Sequence, residues 1–296
     1  MDFHVFGATT TTGQSFINQL EINHPKYNIN KYSRNKKNFN KCDLRNPDSF
    51  ISNVENKPSI WISLAPIWEF SNFIEYISIN KSEIVDKIKC IIICSSSSVV
   101  TKKYAYNEFD QKLVRSLKKS EEVITSICKN FSIDLTILRP SLIYGSVNEI
   151  QDKSLSKIIK IMRIMPFIIL PKYTGNRQPI HATQLSRVIL KIANNFISFP
   201  SISSSRRFLL GGDTLLSYTS MISKIINSLE KNDPAKNCRI IKIPNRLFFF
   251  LVSPLILISP KYYSVFLRIS VNMSGFIKSS KLSESIKEDF PILPVL

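Results

Sequence analysis

The chain has 296 residues, 40 Lys and Arg against 22 Asp and Glu, a formal net charge of +18, and 44% hydrophobic residues. That apolar share suits a globular core and excludes collagen-like and wholly disordered chains. Only 7 residues are glycine, roughly a third of what average usage gives, so each one marks a place where the backbone needs it.

In chain order, a strand is predicted over 4–6, ending in Gly7, and a helix over 14–20. Further strands are predicted over 27–33, 59–64, 89–94 and 135–138, with helices over 70–79 and 113–131 between them. Apolar strands alternating with helices are the pattern of βαβ units, so the fold class is α/β, a doubly wound parallel sheet of Rossmann type. The later helices (154–165, 184–196, 219–229) and strands (206–210, 238–243) suit a smaller C-terminal substrate lobe. The expected division is 1–165 and 166–296, with 177–183 and 206–212 returning to the first domain.

The lysines are spread along nearly the whole chain rather than gathered in a stripe with interleaved aromatics, so no nucleic-acid partner is expected. Five cysteines without a C-x-x-C pair read as reduced and structural, and no metal-ligand spacing is present. Residues 1–6 carry no basic n-region or apolar h-region, so a cytoplasmic protein is expected. The longest apolar stretch, 247–258, is interrupted by Ser253-Pro254 and falls short of the roughly 20 residues that span a bilayer.

The strongest local motif is Gly7-Ala8-Thr9-Thr10-Thr11-Thr12-Gly13, between a strand and a helix. A dinucleotide site needs that context: a tight turn, a close backbone approach, and a helix N-terminus aimed at phosphates. The loop resembles the GxxGxxG of the extended short-chain dehydrogenase/reductases, the NAD(P)-dependent sugar-nucleotide epimerase/dehydratase group. Four further segments match that family in order. Lys41-Cys42-Asp43-Leu44 resembles its Asp-Leu after the third strand, and Ser63-Leu64-Ala65-Pro66 its NxAA stretch. The run from Ile137 through Arg139-Pro140 to Tyr144-Gly145 resembles LRPxxxYG, and Arg177-Gln178-Pro179-Ile180-His181 resembles xxPIH. Ser95 to Lys102, Arg177 to His181 and Leu210 to Tyr218 are similar to segments of epimerase-like proteins from polysaccharide gene neighbourhoods.

The resemblance implies a cofactor site at Gly7, Thr9, Thr10, Thr12, Gly13, Asp43, Leu44, Leu64, Ala65 and Pro140, with the Asp43 carboxylate at the adenine edge. It implies substrate contacts at Tyr144, Arg177 (toward a diphosphate) and His181. Two departures stand out. Thr10 replaces the middle glycine, where its hydroxyl is a candidate donor to a phosphate. The family's Tyr and Lys, four apart on one helix so that the ammonium lowers the phenol's pKa, are not evident: alignment on Lys118 and Glu122 puts Val114 where the tyrosine belongs. Candidate catalytic groups are therefore Ser97 (Ser96 in a shifted register), Tyr104 or Tyr106 as surrogate acid, and Lys118 on the ribose.

The second strand ends in Tyr32-Ser33-Arg34-Asn35-Lys36-Lys37, with no acid until Asp43. An acid there binds the ribose diol of NAD, whereas an arginine accepts the 2′-phosphate of NADP, so NADP is preferred over NAD. Two functions stand: an NAD(P)-dependent epimerase/dehydratase-like oxidoreductase acting on a small-molecule nucleotide- or lipid-linked sugar, or a catalytically inactive NAD(P)-binding scaffold or redox sensor. The aromatic and basic segment 246–263 reads as a helix packed on the substrate lobe, with peripheral membrane contact as the alternative, and a homodimer is compatible with the sequence.

Overall fold

A computed structural model describes residues 1–34, 39–50, 57–152, 154–200 and 204–295. Eight parallel strands form the main sheet: β1 (Asp2–Phe6), β2 (Asn28–Ser33), β3 (Asn40–Lys41), β4 (Ser59–Ser63), β5 (Ile88–Cys94), β6 (Asp134–Pro140), β7 (Ser205–Gly211) and β8 (Ile277–Lys278). Their spatial order is β8-β7-β6-β5-β4-β1-β2-β3. Every residue of β1 and β4 is buried, as expected where helices cover both faces of a parallel sheet.

Side chains alternate between the two faces. Phe3 and Val5 of β1 pack with Phe16 and Leu20 of α1 (Thr11–Asn23) and with Leu185 and Val188 of α5 (Ala182–Ser198). On the opposite face Phe6 and Trp61 meet Phe70 and Phe73 of α2 (Ile67–Asn80) and Leu117 and Ile124 of α3 (Glu108–Asn130). Phe6 pairs in register with Tyr32 on one side and Ser63 on the other, so the ends of β1, β2 and β4 lie level. The strand order reverses at β1, which opens a crevice beyond the carboxyl ends of these strands.

The smaller lobe comprises α4 (Leu155–Ile164), α6 (Tyr218–Ser228), α7 (Asn245–Val252), α8 (Pro260–Ile269) and a parallel pair, Phe167–Pro171 with Arg239–Ile243. Leu155, Ile159 and Met162 of α4 pack on Met221, Ile222 and Ile225 of α6, so the lobe begins soon after β6. α5 and β7 pack with the main sheet, where their apolar faces close its core. The strands β3 and β8 have two residues each, too short for any periodicity to signal, and Phe167–Pro171 follows α4 without a break in apolar character. All five cysteines are free, and burial pushes the thiols of Cys42, Cys94 and Cys128 up to about 12, so they pack as apolar groups.

Candidate cofactor cleft and substrate pocket

β1 runs out at Phe6 and the chain turns at Gly7 with φ +75°. A Cβ on Gly7 would lie 2.6 Å from Ala65 N and from Leu64 C, so glycine alone lets this loop rest on the loop after β4. A Cβ on Gly13 would lie 2.5 Å from the Gly7 carbonyl oxygen, which seats α1 tightly against the turn. Thr10 is the N-cap of α1: its hydroxyl donates to the Gly7 carbonyl at 2.8 Å and accepts the Gly13 N–H at 3.0 Å. The hydroxyl is thus turned back on its own loop, and the expected donation to a phosphate gives way to capping. Thr11 and Thr12 are 7% and 5% exposed, and their backbone N–H groups meet no acceptor among the described residues. Two such donors at a helix start suit an anion.

The cleft above this turn is walled by Gly7, Thr9 and Thr10, by Tyr32, Ser33 and Arg34 at the end of β2, by Cys42 and Leu44 after β3, and by Ala65, Pro66 and Glu69. Of the expected cofactor residues, Gly7, Thr9, Thr10, Arg34, Leu44 and Ala65 therefore share one wall system. Thr12 and Gly13 are buried behind it in α1, and Leu64 backs Gly7. Arg34 is exposed at the rim, while Lys36 and Lys37 lie outside the described residues. Asp43 is not part of this wall: its carboxylate accepts Nε and Nη2 of Arg45 at 3.0 and 2.8 Å, a hydrogen-bonded pair that holds it down at about 2.

A second pocket lies along the same carboxyl edge, beyond β5, β6 and β7. Ser97, Ser141, Arg177, Gln178, Tyr218 and Arg268 supply its polar groups, and Leu142, Ile158, Met221, Ile269, Met273 and Phe276 its apolar walls. Ser97 follows β5, and its N–H donates to the carbonyl of the buried Pro140 at 3.0 Å. The neighbouring Ser95 and Arg139 both turn to Glu121 of α3, at 2.5 and 3.0 Å, in a buried ion pair that fixes strand to helix. Arg177 is 7% exposed and donates to the carbonyls of Asn176, Val271 and Arg268 at 2.8, 2.6 and 2.5 Å. Its guanidinium lies 5.3 Å from the Tyr218 ring centroid, and burial lowers its pKa. Both Nη atoms are engaged, so Arg177 first of all ties the lobe together and presents its charge at the pocket wall.

Tyr144 and His181 do not line this pocket. Tyr144 is 1% exposed, its hydroxyl accepts Ile292 N–H at 3.0 Å, and its ring meets those of His181 and Phe290, each with centroids 5.0 Å away. His181 is the N-cap of α5 in a capping box with Gln184, and its Nδ1 accepts Thr183 N–H at 3.2 Å. Burial drives its pKa down to about 4, so it stands neutral as a structural cap. A Cβ on Gly145 would fall 2.1 Å from its Nε2, which explains the glycine after Tyr144.

The catalytic candidates are not brought together. Tyr104 and Tyr106 are 87% and 53% exposed, on the surface loop before α3. Lys118 is exposed on the flank of α3, and Val114, one turn earlier and aligned above with the tyrosine position, is buried. Only Ser97 of the four faces the pocket. In the first turn of α3 Asp110, 2% exposed, accepts from Lys102 at 2.7 Å, Asn107 at 2.8 Å and Arg268 at 2.6 Å. Burial alone would raise its pKa, but the bonds from Asn107 and Lys102 hold it at about 2. This hub, together with Glu69 and Tyr218 in the two pockets, was not anticipated. The Asn107-x-x-Asp110 spacing is a helix-start signal that could have disclosed the hub.

Neither the protein-family models nor the curated proteins match this chain. Solved structures do match. One is a nucleoside-diphosphate-sugar epimerase from Staphylococcus aureus, with TM-score 0.62 and 14% identity over 98% of each chain. Another is a UDP-glucuronic acid 4-epimerase from Bacillus cereus in complex with NAD, with TM-score 0.60 and 14% identity over 97% of this chain and 94% of that one. A third is RMD from Pseudomonas aeruginosa complexed with NADPH, with TM-score 0.56 and 12% identity over 82% and 87%. These likenesses show the fold, a parallel sheet of Rossmann type that carries a smaller lobe.

Proposed function

We propose that this protein is an NAD(P)-dependent epimerase/dehydratase-like oxidoreductase acting on a nucleotide- or lipid-linked sugar. The observation that carries the reading is the placement of two pockets along one sheet edge, the first at the switch point and the second between sheet and lobe. The fit to a dinucleotide rests on the glycine-only turn and on the Thr11 and Thr12 N–H groups at the start of α1, which meet no acceptor among the described residues and would hold a diphosphate. Arg34 at the rim, with Ser33 in place of an acid, favours NADP. When bound, the nicotinamide supplies a hydride donor or acceptor. Ser97 would orient a sugar hydroxyl, and Tyr218, which shares its pocket, is the tyrosine best placed to exchange a proton. Arg177, whose hydrogen-bond partners are neutral carbonyls, suits an anionic group on the substrate, whereas the Arg268 charge is met by Asp110.

One observation favours a binding protein without turnover: Val114 stands in place of the tyrosine, and Tyr104 and Tyr106 face solvent. Incubation with UDP- and dTDP-sugars and either dinucleotide, read by mass spectrometry beside a direct binding titration, separates the two. Conversion abolished by Ser97→Ala is the expected result. Tight NADPH binding with no conversion of any sugar transfers the assignment to the scaffold, and absence of binding overturns both.

A further inference from the structure

Between Asp233 and Glu284 the sequence holds no Asp or Glu, and eight Lys and Arg. The structure folds much of this stretch into the strand Arg239–Ile243, α7, the turn Leu255–Ile258 and α8. Phe248 and Ile269 face inward onto Leu170, with Phe249, Val252 and Phe266 packed against them. Other apolar side chains of these elements face out: Phe250 is 74% exposed, Leu257 89%, Ile258 78% and Tyr262 63%. Arg239, Lys242, Arg246 and Lys261 are exposed on the same elements. Exposed apolar groups gathered on adjoining elements mark an interaction surface.

We propose that this face docks on the surface of an anionic phospholipid bilayer, with Phe250, Leu257 and Ile258 entering the headgroup–acyl boundary and Lys242 and Arg246 against lipid phosphates. Charge selects this occupant. A second copy of the chain placed face to face would oppose these bases with the same bases and no acid, whereas an anionic membrane satisfies both the apolar and the cationic groups. No helix among the described residues is long and apolar enough to cross a membrane, so the contact is superficial. Because Arg268 and Ile269 of α8 also line the second pocket, docking sets that pocket beside the lipid.

The test is co-sedimentation of the full chain with vesicles of phosphatidylcholine alone and with roughly one-third phosphatidylglycerol. Binding to the anionic vesicles, weakened by salt, is expected. Lys242→Glu with Arg246→Glu lowers it by roughly tenfold or more, and Leu257→Glu with Ile258→Glu removes it, while circular dichroism and thermal midpoint stay as in the parent because all four positions are exposed. Pelleting equally with neutral vesicles, or with neither, overturns the proposal. So does a doubled mass in light scattering that Leu257→Glu returns to the monomer, which would assign the face to self-association.

Discussion

The hydroxyl of Thr10 accepts the amide of Gly13 at 3.0 Å while donating to the Gly7 carbonyl at 2.8 Å, so one side chain ties the turn after β1 to the start of α1. Replacing it by alanine removes an N-cap. Thr10→Ala is expected to cost about 1 kcal/mol of stability, and Thr10→Gly only a few tenths. Urea unfolding measures both, and equal midpoints for alanine and parent would mean that the cap contributes nothing.

Arg34 stands alone as the described cation in the wall of the first cleft, with Ser33 before it and Glu69 on α2 in the same wall. Arg34→Ala is expected to weaken NADPH binding by about tenfold or more, the scale of one charge-assisted contact to phosphate, and to leave NADH binding nearly unchanged. Parallel titrations with the two dinucleotides decide it. A loss shared equally by both would withdraw the NADP preference.

His181 and His4 are both held near 4, each chiefly by burial, below the ordinary 6.5. Between pH 6.5 and 4 the unfolded chain takes up protons that the folded imidazoles refuse. The stabilisation is therefore complete above the unfolded value and is lost as pH falls through that window, by up to about 3 kcal/mol for each histidine. Unfolding midpoints compared at pH 7.5 and pH 5, both chosen to bracket the upper half of that window, should fall on acidification. His181→Asn keeps an acceptor for the Thr183 amide and should flatten about half of the slope. An unchanged slope would mean that His181 is not protected in the folded protein.

The sheet was legible because its strands are apolar runs bounded by Gly7, Ser63-Leu64 and Ser95, and long helices repeat their apolar positions with helical spacing. The first cleft was largely legible too, since Gly7, Thr9, Thr10, Leu44 and Ala65 are close in sequence to strand ends. The second pocket was not. It gathers Ser97, Arg177, Tyr218 and Arg268 from segments far apart in the chain, and which of them face inward depends on packing between lobe and sheet. Tyr144 and His181 sit in family-like motifs yet serve the core, because motif matching marks a position along the chain and is silent on what fills the space beside it. Asp43 shows the same limit on a smaller scale: its partner Arg45 is two residues away, and only the turn between them reveals the pairing.

The strand Ser205–Gly211 enters the sheet beside residues 134–140, and Ile277–Lys278 then borders it on the far side. A ribosome must therefore deliver nearly the whole chain before that edge is covered. During synthesis the growing sheet waits with an open edge at β6 and later at β7, and its completion needs contacts between distant parts of the polypeptide, which form slowly. The basic side chains Arg206 and Arg207 on the late strand suit that interval, since charge along an open edge discourages pairing with another nascent chain.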